Sequence, residues 1–67
     1  MNLRVNGEHM TVPSTVVTIT HLLDYIQVKN PIVIVEHNKH ILEKHDHDGT
    51  TLSDGDKIEL VQFVGGG

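Results

Sequence analysis

The chain has no cysteine and no tryptophan, one phenylalanine, and only two prolines in 67 residues. Without cysteine, a disulfide scaffold and a thiolate metal site are both excluded. The same absence means that no side chain can hold sulfur as a persulfide. Long apolar runs are missing as well. The longest covers residues 32–35, far short of a membrane span. The first residues show no basic stretch followed by an apolar segment, the pattern of a signal peptide. The expectation is a cytoplasmic protein with no membrane contact. Positive charge is scarce: five Lys and Arg stand singly against nine Asp and Glu, for a net charge of −4. No basic stripe exists to neutralise phosphates, so nucleic acid is not an expected partner.

Size narrows the reading further. A chain this short buries only about 60% of the surface that its unfolded form exposes. It makes one small domain and has little material with which to enclose an active-site cleft. If it takes part in chemistry, the reacting pocket is expected in a partner. Asp46, Asp48, Asp54, Asp56 and Glu59 crowd the C-terminal third, and read as a solubilising surface before they read as a steering field.

Residues 1–5 alternate apolar and polar and run into Asn6-Gly7. Asn-Gly between two such runs predicts a hairpin, because a type I′ turn needs positive φ at both central positions. The return strand is expected from Glu8 to about Val12, ended by Pro13, which lacks a donor. Thr18 is placed to cap a helix. Ile19, Leu22, Leu23 and Ile26 follow at the spacing of one apolar helical stripe, with His21, Asp24 and Gln27 on the other side. Pro31 disfavours helical geometry just before it, so the helix is expected to fade over residues 28–30. Residues 32–35 are β-branched throughout and predict a strand covered on both faces. Asn38 suits a turn, and Ile41-Leu42 fits either a short strand or a single turn. Asp46-His47-Asp48-Gly49 and Ser53-Asp54-Gly55-Asp56 are turn chemistry. Residues 57–64 predict the last strand, with Ile58 and Leu60 on one face and Val61 and Phe63 on the other. One helical stripe among several strands predicts an α+β roll, a mixed sheet with its main helix across one face, which is the β-grasp or ubiquitin-like arrangement.

Gly65-Gly66-Gly67 follows the last strand directly. The domain is therefore expected over 1–64, with 65–67 as a flexible glycine tail. Without Cβ atoms, Gly65 and Gly66 could thread a narrow channel and bring the Gly67 carboxylate to its far end. A carboxylate is a poor electrophile until it is converted to an acyl-adenylate. This sequence has no glycine-rich loop opening a helix to cradle a nucleotide, so a separate ATP-using enzyme is implied.

The chain resembles the ThiS family, the sulfur-carrier proteins of thiamin biosynthesis, over nearly its whole length. The resemblance rests on Leu3-Arg4-Val5-Asn6-Gly7, on Ile32-Val33-Ile34-Val35-Glu36-His37-Asn38-Lys39, and on the run from Asp54-Gly55-Asp56 through the final glycines. It implies a carrier that is not itself an enzyme and binds no permanent cofactor. A ubiquitin-activating-type adenylyltransferase would activate Gly67 with ATP and magnesium. Sulfur from a cysteine desulfurase or another donor would then give a thiocarboxylate for thiazole synthase to consume. Val61 and Phe63 are the candidate partner-binding residues, set against plain packing at a sheet margin. A molybdopterin-synthase small-subunit carrier, a ubiquitin-like protein modifier and an inert β-grasp module are the alternatives. His45-Asp46-His47-Asp48 suggests metal ligation by residue type, but the turn formers around it favour a loop with solvated histidines. His37 and His40 are read in the same way, and the resemblance does not account for the six histidines.

Overall fold

The computed structural model describes residues 1–28 and 33–62. The expectations for Asn30, Pro31, Ile32, Phe63, Val64 and the three final glycines lie outside the described residues. β1 (Asn2–Val5) and β2 (Glu8–Thr11) form the expected hairpin. Asn6 and Gly7 between them take φ of 50° and 81°, as a type I′ turn requires.

Helix α1 (Ile19–Tyr25) begins where the sequence places it. The Thr18 hydroxyl accepts from the His21 N–H at 3.3 Å, and His21 Nδ1 accepts from the Thr18 N–H at 3.3 Å. His21 thus stands where a capping box normally has Glu or Gln. The helix stops earlier than the Pro31 argument predicts. Gln27 adopts φ of 63°, the Gln27 N–H donates to the Asp24 carbonyl, and the Val28 N–H donates to the Leu23 carbonyl. This is a Schellman closure with glutamine in the position that glycine usually fills.

β3 (Val33–His37) turns through Asn38 and Lys39, at φ of 48° and 72°, into β4 (His40–Leu42). Ile41-Leu42 therefore belongs to a strand. A short 3₁₀ turn over Lys44–Asp46 precedes the loop that leads to β5 (Lys57–Gln62). The sheet order is β2-β1-β5-β3-β4, with β1 and β5 parallel and every other neighbour antiparallel.

The core gathers Leu3 and Val5 of β1, Val35 of β3, Ile58 of β5, Ile19 and Leu22 of α1, and Val12, Val16 and Leu52 of the loops. Leu23 and Ile26 flank it, half-buried. Only one face of the sheet carries the helix, and this corrects the reading of β3 as covered on both faces. Val35 is fully buried, whereas its neighbour Ile34 points the other way and is 39% exposed.

Candidate functional site

The end of β5 is built by its neighbours before any of its own side chains is considered. On one side, the Arg4 and Asn6 N–H groups donate to the Asp56 and Ile58 carbonyls, both at 2.9 Å. The chain then turns away through Asn6-Gly7, but the Asn6 side chain stays behind. Its Oδ1 accepts from the Leu60 N–H at 2.7 Å, prolonging the ladder by one bond after the strand itself has left. On the other side, β3 runs antiparallel to β5 as far as the pairing of Val33 with Gln62.

The start of β5 is fastened through Asp56. This carboxylate is buried and accepts from His37 Nε2 at 2.7 Å, Asn38 Nδ2 at 3.1 Å and the Ser53 N–H at 2.8 Å. The Asn38 Oδ1 accepts from the Lys57 N–H at 2.9 Å, so the β3–β4 turn grips the first residue of β5. Burial by itself would raise the Asp56 pKa. The hydrogen bonds from His37, Asn38 and Ser53 and the charge on His37 outweigh it and hold the carboxyl below its ordinary value. The Asp54-Gly55-Asp56 turn is also tied to β1. The Asn2 N–H donates to Asp54 Oδ1 at 2.6 Å, and the Gly55 N–H donates to the Asn2 carbonyl at 2.7 Å.

The strand register fixes what the helix-free face presents. Val61 lies opposite Ile34, Glu59 opposite Glu36, and Glu36 opposite Ile41. Val61 is 52% exposed and Ile41 72% exposed, so three apolar side chains share an open face with two carboxylates. The sequence reading placed Val61 on this face and missed Ile34 and Ile41. The alternation of β3 and β4 carries their signal only once the covered face is known. Phe63, Gly65, Gly66 and Gly67 lie outside the described residues.

The histidines separate. His45 is exposed, 3.4 Å from both Glu43 and Asp46. His47 corrects the expectation of a solvated loop: it is buried, and its Nε2 has no hydrogen-bond partner among the described residues. The loop around it folds inward because its backbone pairs with the entry to α1. The Thr20 N–H donates to the His47 carbonyl at 3.2 Å, and the Ile19 N–H donates to the Thr50 carbonyl at 3.1 Å. His37 is the partner of Asp56, and His40 is exposed. Among the described residues no three His, Asp or Glu side chains are grouped to hold a metal ion. A hollow of 190 Å³ beside α1, lined by Thr15, Val16, His21, Asp24 and Tyr25, falls below the roughly 300 Å³ at which small-molecule sites begin. No helix among the described residues is long and apolar enough to cross a membrane.

Comparison with known proteins agrees with this geometry. The model of the ThiS family matches residues 3–67. The sulfur carrier protein ThiS of Bacillus subtilis is 45% identical over 65 residues, which cover 97% of this chain and 98% of that one. A thiazole synthase of Paramagnetospirillum magneticum is 39% identical over all 67 residues, although they span only 20% of its length. The crystal structure of a ThiS protein from Geobacter metallireducens superposes with a TM-score of 0.84 at 42% identity, covering all of both chains.

Proposed function

This chain belongs to the ThiS family, and from that membership we propose that it carries sulfur for thiamine biosynthesis. It is a carrier rather than a catalyst. The observation that supports the reading best is a family match running from β1 through β5 and across the final glycines.

In the proposed cycle, an oxygen of the Gly67 carboxylate attacks the α-phosphorus of ATP in a ubiquitin-activating-type adenylyltransferase, with magnesium on the phosphates. Pyrophosphate leaves and an acyl-adenylate forms. Hydrosulfide, supplied as sulfide or released from the persulfide of a cysteine desulfurase by a thiol reductant that is oxidised to its disulfide, adds to the acyl carbon. AMP departs, and the product is a thiocarboxylate. Gly65 and Gly66 thread the channel that leads there. Thiazole synthase then takes the sulfur. A thiazole synthase that contains a stretch like this chain over a fifth of its length supports that pairing. Val61, with Ile34 opposite it on β3, provides an exposed apolar face that docks on these enzymes, and Phe63 is the second residue assigned to that contact by its position in the sequence.

The test is an intact-mass measurement after incubation with the adenylating enzyme, ATP, magnesium and sulfide. The mass should rise by the difference between one sulfur and one oxygen, confined to the C-terminal peptide. Adenylation without sulfur uptake, or a stable amide to a protein lysine, would overturn the assignment.

A further inference from the structure

β5 is the middle strand at its start and half an edge strand at its end. The hydrogen-bonding groups of a strand point alternately to its two sides. The Asn38 N–H reaches the Lys57 carbonyl on the β3 side, whereas bonds to the Asp56 and Ile58 carbonyls and from the Leu60 N–H lie on the β1 side. By the same alternation, the Leu60 carbonyl and both backbone groups of Gln62 face the β1 side. β1 has already turned away there, and the bonds among the described residues on that side end at the Asn6 side chain.

We propose that this half-edge, from the Leu60 carbonyl to Gln62, receives an extended segment of thiazole synthase by strand addition. The inference rests on the sulfur-carrier reading and specifies how the carrier is held. Two observations point to this occupant. Gly65, Gly66 and Gly67, which enter the enzyme in the proposed cycle, are separated from Gln62 by only two residues in the sequence, which makes the edge next to Gln62 the nearest one to an enzyme holding them. The Paramagnetospirillum relative also places a stretch like this domain within a thiazole synthase chain. Main-chain pairing of this kind supplies affinity without a deep pocket. It would also align the following residues along the enzyme's own strand. Asn6 sets the boundary: its Oδ1 occupies the Leu60 N–H, so the incoming strand begins at the Leu60 carbonyl.

The pairing with β3 makes a clean test possible. The Gln62 N–H faces away from β3, so Gln62→Pro removes a donor that the existing sheet does not use. The variant should unfold within about 2 °C of the parent, because edge positions with a solvent-facing N–H accept proline. Its affinity for thiazole synthase, measured by calorimetry, should fall at least about tenfold, the loss of one well-made contact. Independently of any variant, exchange of the Gln62 amide with solvent should slow in the complex of the unmodified chain. Parent-like affinity of Gln62→Pro, or an unprotected Gln62 amide in the complex, would overturn strand addition and leave the carrier reading standing. If the parent chain does not bind thiazole synthase at all, both fall together.

Discussion

Asp56 is buried with three donors on its two oxygens, whereas the equally buried imidazole of His47 has no partner at Nε2. The two should leave opposite marks on stability. Burial lowers the His47 pKa from its ordinary 6.5; Asp46 and Asp48 oppose the shift without overcoming it, and Lys44 adds to it. The unfolded chain therefore takes up this proton more readily than the folded one. Stability linked to His47 is intact above pH 6.5 and erodes as pH falls through the lower folded value. Urea midpoints followed from about pH 8 to about pH 5 should drop less in His47→Leu than in the parent. Equal slopes would show that the folded chain protonates His47 as readily as the unfolded one, against the lowered pKa. The Asp56 contribution is present above the ordinary value of 3.8 and disappears as pH falls through its depressed folded value. At neutral pH, Asp56→Asn loses charge-assisted acceptors inside the fold and should cost about 1–3 kcal/mol in denaturant titrations. This network was not legible in the sequence, where His37 and Asp56 stand 19 residues apart and look like a solvated histidine and a turn former.

At the scale of elements, the start of α1 was legible and its end was not. Thr18 announces a cap by residue type, but glutamine carries no signal for positive φ, and the distant Pro31 suggested a longer helix. Replacing Gln27 with glycine relieves the left-handed strain and should stabilise the domain by roughly 1 kcal/mol, seen as a higher melting temperature. No gain would mean that the Gln27 side chain compensates through contacts of its own. Within the helix, the apolar stripe was legible while the depth of each position was not. Leu22 is fully buried, and Leu22→Ala should cost about 2–5 kcal/mol. Leu23 is half-buried, and the same change there should cost clearly less. On the open face, Glu36 and Glu59 are set directly opposite each other across β3 and β5. Like charges so placed are destabilising, so Glu59→Gln should raise stability by about 0.2–1 kcal/mol. An unchanged or lower midpoint would show that the two carboxylates splay apart.

For the whole molecule, the first hairpin and the start of the helix could be read locally, but the sheet order could not, because it depends on which distant strands meet. The buried core of the described residues runs from Leu3 to Ile58. Deleting Gly66 and Gly67 should accordingly leave thermal unfolding unchanged and abolish adenylation; a lowered melting temperature would assign the tail a structural role. The parallel union of β1 and β5 also governs when this protein can exist at all during synthesis. The β1–β2 hairpin, α1 and the β3–β4 hairpin are made first, yet β1 and β3 never touch and wait for the strand between them. A nascent chain still holding β5 inside the ribosome has two unjoined hairpins with bare inner edges, an arrangement open to mispairing. Sheet closure thus comes only once the last strand has emerged, and the glycines following β5 reach solvent at nearly the same moment. A partner that recognises the finished sheet would by that ordering also verify that translation has run to the end of β5.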